Sequence, residues 1–219
     1  MLPVQGSSAP ECRKTWNIPG AALIGIGGSV VFVLVVTFSR FQAREATALV
    51  AQVGAGLLLA PVVLSIARRR CSEGFWASIG WNSSRLDVAL FILCILCGGI
   101  LAIAVSAGLT ARYGSAGSLR GPVDVVLYGL SEVLVGSFIE EMYFRGILFS
   151  ALENRFGRLA SVLIVTIISS LVHLGHMFYV FPAMAVLGFT RLRTESVASC
   201  FVLHASYNLF AGIYILVVR

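Results

Sequence analysis

Apolar residues run along this chain in blocks of about 20, the length that crosses a bilayer as a helix, separated by short polar or basic breaks. The blocks fall at about 19–38, 46–67, 87–110, 122–144, 159–178 and 195–218. A further apolar piece, Phe178 to Thr190, is short for a span and reads as a tilted helix, a re-entrant segment or an extension of its neighbour. The pattern predicts an all-α fold, a polytopic transmembrane helix bundle of about 6 to 8 membrane helices. The longest break, about 68–86, carries Arg68, Arg69, Arg70, Trp76 and Trp81, a basic and aromatic composition suited to the membrane interface. No internal repeat, low-complexity tract or long linker divides the chain, so residues 1–219 read as a single integral membrane domain.

Composition agrees with the pattern. With 58% hydrophobic and only 12% charged residues, the chain lies outside the range of ordinary soluble domains. The net charge of +6 is topological charge beside anionic lipid, not the footprint of a nucleic-acid partner. Under a seven-span reading, ten basic residues fall on one side, among them Arg13, Lys14, Arg68, Arg69, Arg70, Arg191 and Arg193, against five on the other. That bias favours a cytoplasmic N-terminus. The apolar run after Arg13 and Lys14 lacks a small-x-small cleavage site, so it is expected to stay attached rather than act as a removable signal. Five cysteines at 12, 71, 94, 97 and 200 are scattered, mostly in or beside apolar runs; even Cys94-x-x-Cys97 has no further ligand nearby and reads as packing.

Against this background the polar residues inside the apolar blocks need a reason, because an ionisable group in a bilayer costs at least a few kcal/mol. Phe138-Ile-Glu-Glu-Met-Tyr-Phe-Arg-Gly146 holds three of them. On a helix Glu141 and Arg145 are four apart and share a face, while Glu140 and Glu141 diverge by about 100 degrees. Arg145 can therefore neutralise Glu141 and leave Glu140 as a free carboxylate suited to general-base work. A buried ion pair that only fixes register would explain Glu141 with Arg145 but not Glu140. All three histidines, His173, His176 and His204, fall in predicted spans beyond the Glu pair, and His204 stacks with Asn208 on one face of the last span. Together these groups make a convergent polar cluster and a candidate catalytic cavity. His176, near a span end, reads as interfacial. Asp124, just after Gly121-Pro122, reads as a helix N-terminal carboxylate; Glu132 is placed to line the same cavity; Glu195-Ser196 reads as the start of the final span; and Tyr143 and Phe144 could wall a groove, with packing as the default.

Three elements in order, Glu140-Glu141-x-x-x-Arg145, His173 and His204-x-x-x-Asn208, resemble the CPBP (Abi) superfamily of membrane glutamic endopeptidases, which includes the Ras-converting CAAX prenyl proteases. The resemblance covers about residues 120–212, a CPBP/Abi-like catalytic core, and extends to Leu192-Arg-Thr-Glu-Ser-Val-Ala-Ser199 and Leu203-His-Ala-Ser-Tyr-Asn-Leu209. One position departs from it: the family usually has Phe four residues before the histidine, where Ser169 stands here. The resemblance implies that Glu140 and His173 activate a water that attacks the scissile carbonyl, that His204 and Asn208 stabilise the oxyanion, and that Glu141 and Arg145 support them. It implies no metal or other cofactor. Zinc is the competing reading, since Glu and His residues could bind it, but there is no His-Glu-x-x-His helix and Arg145 opposes a nearby cation. The implied partners are a peptide or lipid-anchored protein substrate, cleaved near its C-terminus or membrane anchor, and the membrane lipid itself. Compact size suggests a prokaryotic cell membrane.

Two readings from other classes compete. A proton-coupled membrane transporter could use the same Glu and His residues as a relay, but the polar residues are confined to the C-terminal half and no paired repeat is present. A nonenzymatic immunity or scaffold protein on the same fold is the other, and the intact motif residues argue against it.

Overall fold

The computed structural model describes residues 16–27, 75–83, 122–173 and 177–217, with isolated helical positions at 92, 95–96, 99–100, 102–104 and 107. Among the described residues the ordered elements are helical and no strand occurs. We label them α1 (Ile18–Gly27), α2 (Phe75–Ile79), α3 (122–156), α4 (Arg158–Leu171), α5 (Met177–Thr194) and α6 (Val197–Val217).

The central element is α3, an unbroken helical run in which α-helical Pro122–Tyr128, Ser137–Glu141 and Phe149–Phe156 alternate with π-helical Gly129–Gly136 and Met142–Leu148. Widened turns of this kind are rare and gather at functional sites. Local chemistry accommodates the first one. A Cβ on Gly136 would lie 2.8 Å from the Ser131 carbonyl oxygen five residues back, and the Ser137 hydroxyl donates to the Glu132 carbonyl, also five back, at 2.9 Å. The second stretch is buried at every residue except Tyr143, as befits a helix packed on several sides. Phe149, Ala151 and Leu152 continue its core, joined by Trp16 and Ala21 from the α1 region, Phe75 and Ile79 of α2, and Val162 and Val165 of α4.

Helices α4 and α5 pack against each other along their lengths, and α6 lies against α5 and α3. Gly188 permits the α4–α5 approach, since a Cβ there would sit 2.8 Å from Val162 Cγ1 and 3.0 Å from Thr166 Oγ1. Helix α6 begins on Ser196, whose hydroxyl accepts from the Ser199 amide at 3.3 Å as an N-cap. The Val197 amide donates to the Gly80 carbonyl at 3.0 Å, and the Ser196 hydroxyl donates to the Asn82 carbonyl.

That last pair of contacts gives residues 75–83, within the break at about 68–86, a packing role beside the interfacial one its composition suits. Phe75, Ser78 and Ile79 are buried, Ile79 stands against Gly146 of α3, and the turn after α2 caps α6. Trp81 packs edge-on to Phe138 at 5.5 Å and lies 6.0 Å from Phe201, so it bridges α3 and α6; Trp76 is the exposed member. Other boundaries shift too. The block predicted to end near 144 continues as helix to Phe156, the block predicted to reach 178 ends as helix at Leu171, and the segment of unsettled character from Phe178 to Thr190 lies inside α5, a helix of its own containing Pro182. Gly157, with φ of 76°, makes the turn between α3 and α4. Only α6 among the described helices is both long and apolar enough to cross a membrane. The predicted block at 46–67 and the Cys94-x-x-Cys97 pair lie outside the described residues, as does His176; Cys200 is buried, and its thiol donates to the Ser196 carbonyl at 3.4 Å.

Candidate active site

The two adjacent glutamates of α3 meet different surroundings. Glu141 is fully buried, and its Oε1 accepts from Arg145 Nη1 at 3.0 Å and lies 2.8 Å from Nδ1 of His204 on α6. Helical spacing brings Glu141 and Arg145 together within one helix; the fold adds His204 from 63 residues away. The other amino group of Arg145, Nη2, donates to the Met184 carbonyl of α5 at 3.2 Å and approaches Met184 Sδ at 3.3 Å. One carboxylate oxygen thus ties α3 to α6, and its arginine ties α3 to α5. Glu140, by contrast, has a buried Oε2 with no hydrogen-bond partner, and it takes part in no ion pair among the described residues. Its charge acts on His204 through space.

His173 sits in the turn just beyond the end of α4 rather than within a span. Its Nδ1 is 2.9 Å from the Ser169 carbonyl oxygen. A carbonyl can only accept, so Nδ1 carries the proton and, in the neutral ring, Nε2 is the basic nitrogen. The side chain at 169 takes no part in this, because its hydroxyl donates to the Thr166 carbonyl at 3.2 Å. No hydrogen bond joins His173 to Glu140.

Asn208 faces α3 one turn beyond His204. Its Nδ2 donates to the Glu132 carbonyl at 2.9 Å and to the Ser137 hydroxyl at 3.0 Å, and its own backbone carbonyl accepts from the Tyr128 hydroxyl at 3.0 Å. Gly212, four residues on, leaves room for the Tyr128 ring, whose Cε1 would lie 2.5 Å from a Cβ there. Asn208 is therefore held against the first π-helical stretch, by Glu132 and by two residues, Tyr128 and Ser137, that the sequence alone does not single out. Tyr128 and Ser137 look like ordinary helix residues until α6 is in place.

Arg191 is a second residue the sequence reading misplaced. Counted there as topological charge at a membrane face, it is 1% exposed, donates from Nε to the Arg145 carbonyl at 3.0 Å, and lies over the Phe149 ring at 4.9 Å. Arg193, two residues on, is exposed and fits the surface role. Glu195 lies in the turn before α6 and accepts from Arg158 Nη1 at 2.8 Å, a surface link between the starts of α4 and α6. Tyr143 donates from its hydroxyl to the Ala21 carbonyl at 3.3 Å, so its ring holds α1 to α3. Among the described residues no three His, Cys, Asp or Glu side chains are grouped as metal ligands.

No curated protein and no solved structure matches the chain. A family model does match, over a stretch that contains Glu140, Glu141, Arg145, His173, His204 and Asn208 together with both π-helical segments, and it describes a protease family. Residues 122–210 match the model of the Rce1-like family, described as type II CAAX prenyl endopeptidase Rce1-like.

Proposed function

We propose that this protein is a membrane-embedded endopeptidase in which Glu140 and His173 activate a water without a metal ion. The observation that carries the reading is the asymmetry of the glutamate pair: both Oε2 atoms lack a hydrogen-bond partner, but Oε1 of Glu141 is occupied by Arg145 and His204, while Glu140 takes part in no ion pair among the described residues. A carboxylate without an ion-pair partner can take a proton from water, and the fixed tautomer of His173 offers Nε2 as a second acceptor for that water. The water oxygen then bonds to the scissile carbonyl carbon as its proton passes to Glu140. Collapse of the tetrahedral intermediate breaks the C–N bond and returns that proton to the leaving nitrogen.

His204 and Asn208 suit the oxyanion. Glu141 beside Nδ1 supplies the countercharge for an imidazolium, whose Nε2–H is then a donor to developing negative charge. Asn208 joins by exchanging its 3.0 Å hydrogen bond to the Ser137 hydroxyl for the substrate oxygen. Each such donor is worth about 3 kcal/mol in the transition state. The substrate class that fits the family is a prenylated or otherwise lipid-anchored protein, cut near its anchor. The membrane bundle supplies the setting, since the outward faces of the described helices are lined by large apolar side chains.

The test is cleavage of fluorogenic membrane-anchored peptides, prenylated and unprenylated, by purified wild type and Glu140→Gln, each with and without a strong chelator. Loss of cleavage in Glu140→Gln alone supports the metal-free glutamate reading; loss of wild-type activity with chelator replaces it with a metalloenzyme.

A further inference from the structure

Between α3 and α5 two buried arginines each reach for the other helix's backbone. Arg145 of α3 donates from Nη2 to the Met184 carbonyl of α5, and Arg191 of α5 donates from Nε to the Arg145 carbonyl of α3. Both are 1% exposed. Met184 and Arg191 are seven residues apart, two turns on one face of α5, so both contacts fix the same stretch of α5 against the same turn of α3. On α3 the receptor for Arg191 has two parts one helical turn apart: the Arg145 carbonyl and the Phe149 ring, over which the guanidinium lies at 4.9 Å. The contact falls on the second π-helical stretch, whose last residues are followed directly by Phe149.

We infer that Arg191 is a positioning residue for the Glu141–His204 pair, acting through this reciprocal clasp. The route is short. Glu141 Oε1 is aimed by Arg145 Nη1, and Arg145 is in turn anchored at its second amino group by the Met184 carbonyl. That carbonyl stays within reach only while α5 keeps its register on α3, and Arg191 is the α5 side chain that grips the α3 backbone at the arginine itself. Removing the grip lets α5 slide, frees Nη2 and loosens the carboxylate that His204 Nδ1 meets at 2.8 Å. Lysine retains charge and a donor but cannot lie flat on the Phe149 ring, so it replaces arginine only in part. The consequence for cleavage rests on the protease reading above; the structural consequence does not.

The experiment therefore reads both. Full-length wild type, Arg191→Met and Arg191→Lys are prepared in detergent micelles, and the imidazole nitrogen resonances of His204, assigned by their absence in His204→Gln, are recorded beside kcat and KM. The hydrogen bond to Glu141 gives His204 Nδ1 a distinct signal. In Arg191→Met that signal is expected to shift toward a free imidazole and kcat to fall about a hundredfold with KM unchanged, as for a catalytic group displaced by a remote change; Arg191→Lys lies between. An unshifted His204 signal in folded Arg191→Met overturns the inference, even if its melting temperature drops, since a purely structural arginine would do the same. Should Arg191→Met not fold, Arg191→Gln, which keeps a neutral N–H donor, is read in the same way, and an unshifted signal again overturns it. If wild type cleaves none of the peptides, the protease reading fails while the His204 signal still decides this one.

Discussion

Glu140 and Glu141 share one chemistry and differ in surroundings, so substitution should separate them. Glu140→Gln leaves every observed hydrogen bond of the site in place and is expected to keep the wild-type melting temperature while losing at least about a hundredfold in cleavage. Glu141→Gln strands the Arg145 guanidinium in a site that is 1% exposed and removes the charged partner of His204, so it should destabilise by about 3 kcal/mol, read by thermal unfolding in micelles. Equal stability of the two variants would mean that the ion pair contributes little. The Glu141–Arg145 pair was legible in the sequence because helical spacing of four sets it within one element. The partnership of Glu141 with His204 was not, since spacing along the chain says nothing about which groups meet across helices. Arg191 was misread for a related reason: a basic residue near the end of an apolar helix looks the same whether it meets headgroups or a carbonyl of the next helix.

At the scale of elements, apolar block length gave α4, α6 and the first part of α3 among the described helices, and local chemistry set their ends. Helix α4 stops at Leu171 and hands His173 to a turn, where the ring bonds back to the Ser169 carbonyl; no hydropathy pattern marks that stop. The π-helical stretches were equally hidden, because the carbonyl of Glu132 is satisfied by Ser137 and by Asn208, the latter 76 residues away. Close helix approach is where an element can be tested alone. Gly188→Ala places a methyl 2.8 Å from Val162 Cγ1 and 3.0 Å from Thr166 Oγ1, which forces α4 and α5 apart. The overpacking should cost about 1–3 kcal/mol and outweigh the roughly 1 kcal/mol that alanine gains in helix propensity. Adding Val162→Ala should restore part of the melting temperature by opening the space. Failure of that rescue would show that Thr166, not Val162, sets the approach.

Among the described residues, polar groups lie inward beside an apolar core, and rows of large apolar side chains face outward. Leu159, Leu163, Ile167 and Leu171 of α4 are exposed at a spacing of four, Val123, Val126, Leu130 and Leu134 form a similar outer stripe on α3, and Leu209, Ile213 and Val217 continue it on α6. Meanwhile Ser131, Ser137, Glu141, Arg145, Ser161, Thr166, Ser169, Arg191 and His204 are buried. In water such an exterior would associate, whereas in lipid it is the surface that needs no partner, and Ser137, Glu141, Arg145, Arg191 and His204 among the buried polar groups bond across helices. The prediction is directional. A single-cysteine protein labelled at position 163 with an environment-sensitive fluorophore and reconstituted into vesicles should be quenched by lipids carrying a nitroxide on the acyl chain and not by iodide in the water. Quenching by iodide alone would place the α4 stripe in water and remove the membrane setting from the proposed mechanism. Lipid quenching would instead place the α4 stripe among the acyl chains and keep the membrane setting of the proposed mechanism, with Glu141, Arg145 and His204 buried behind that apolar exterior.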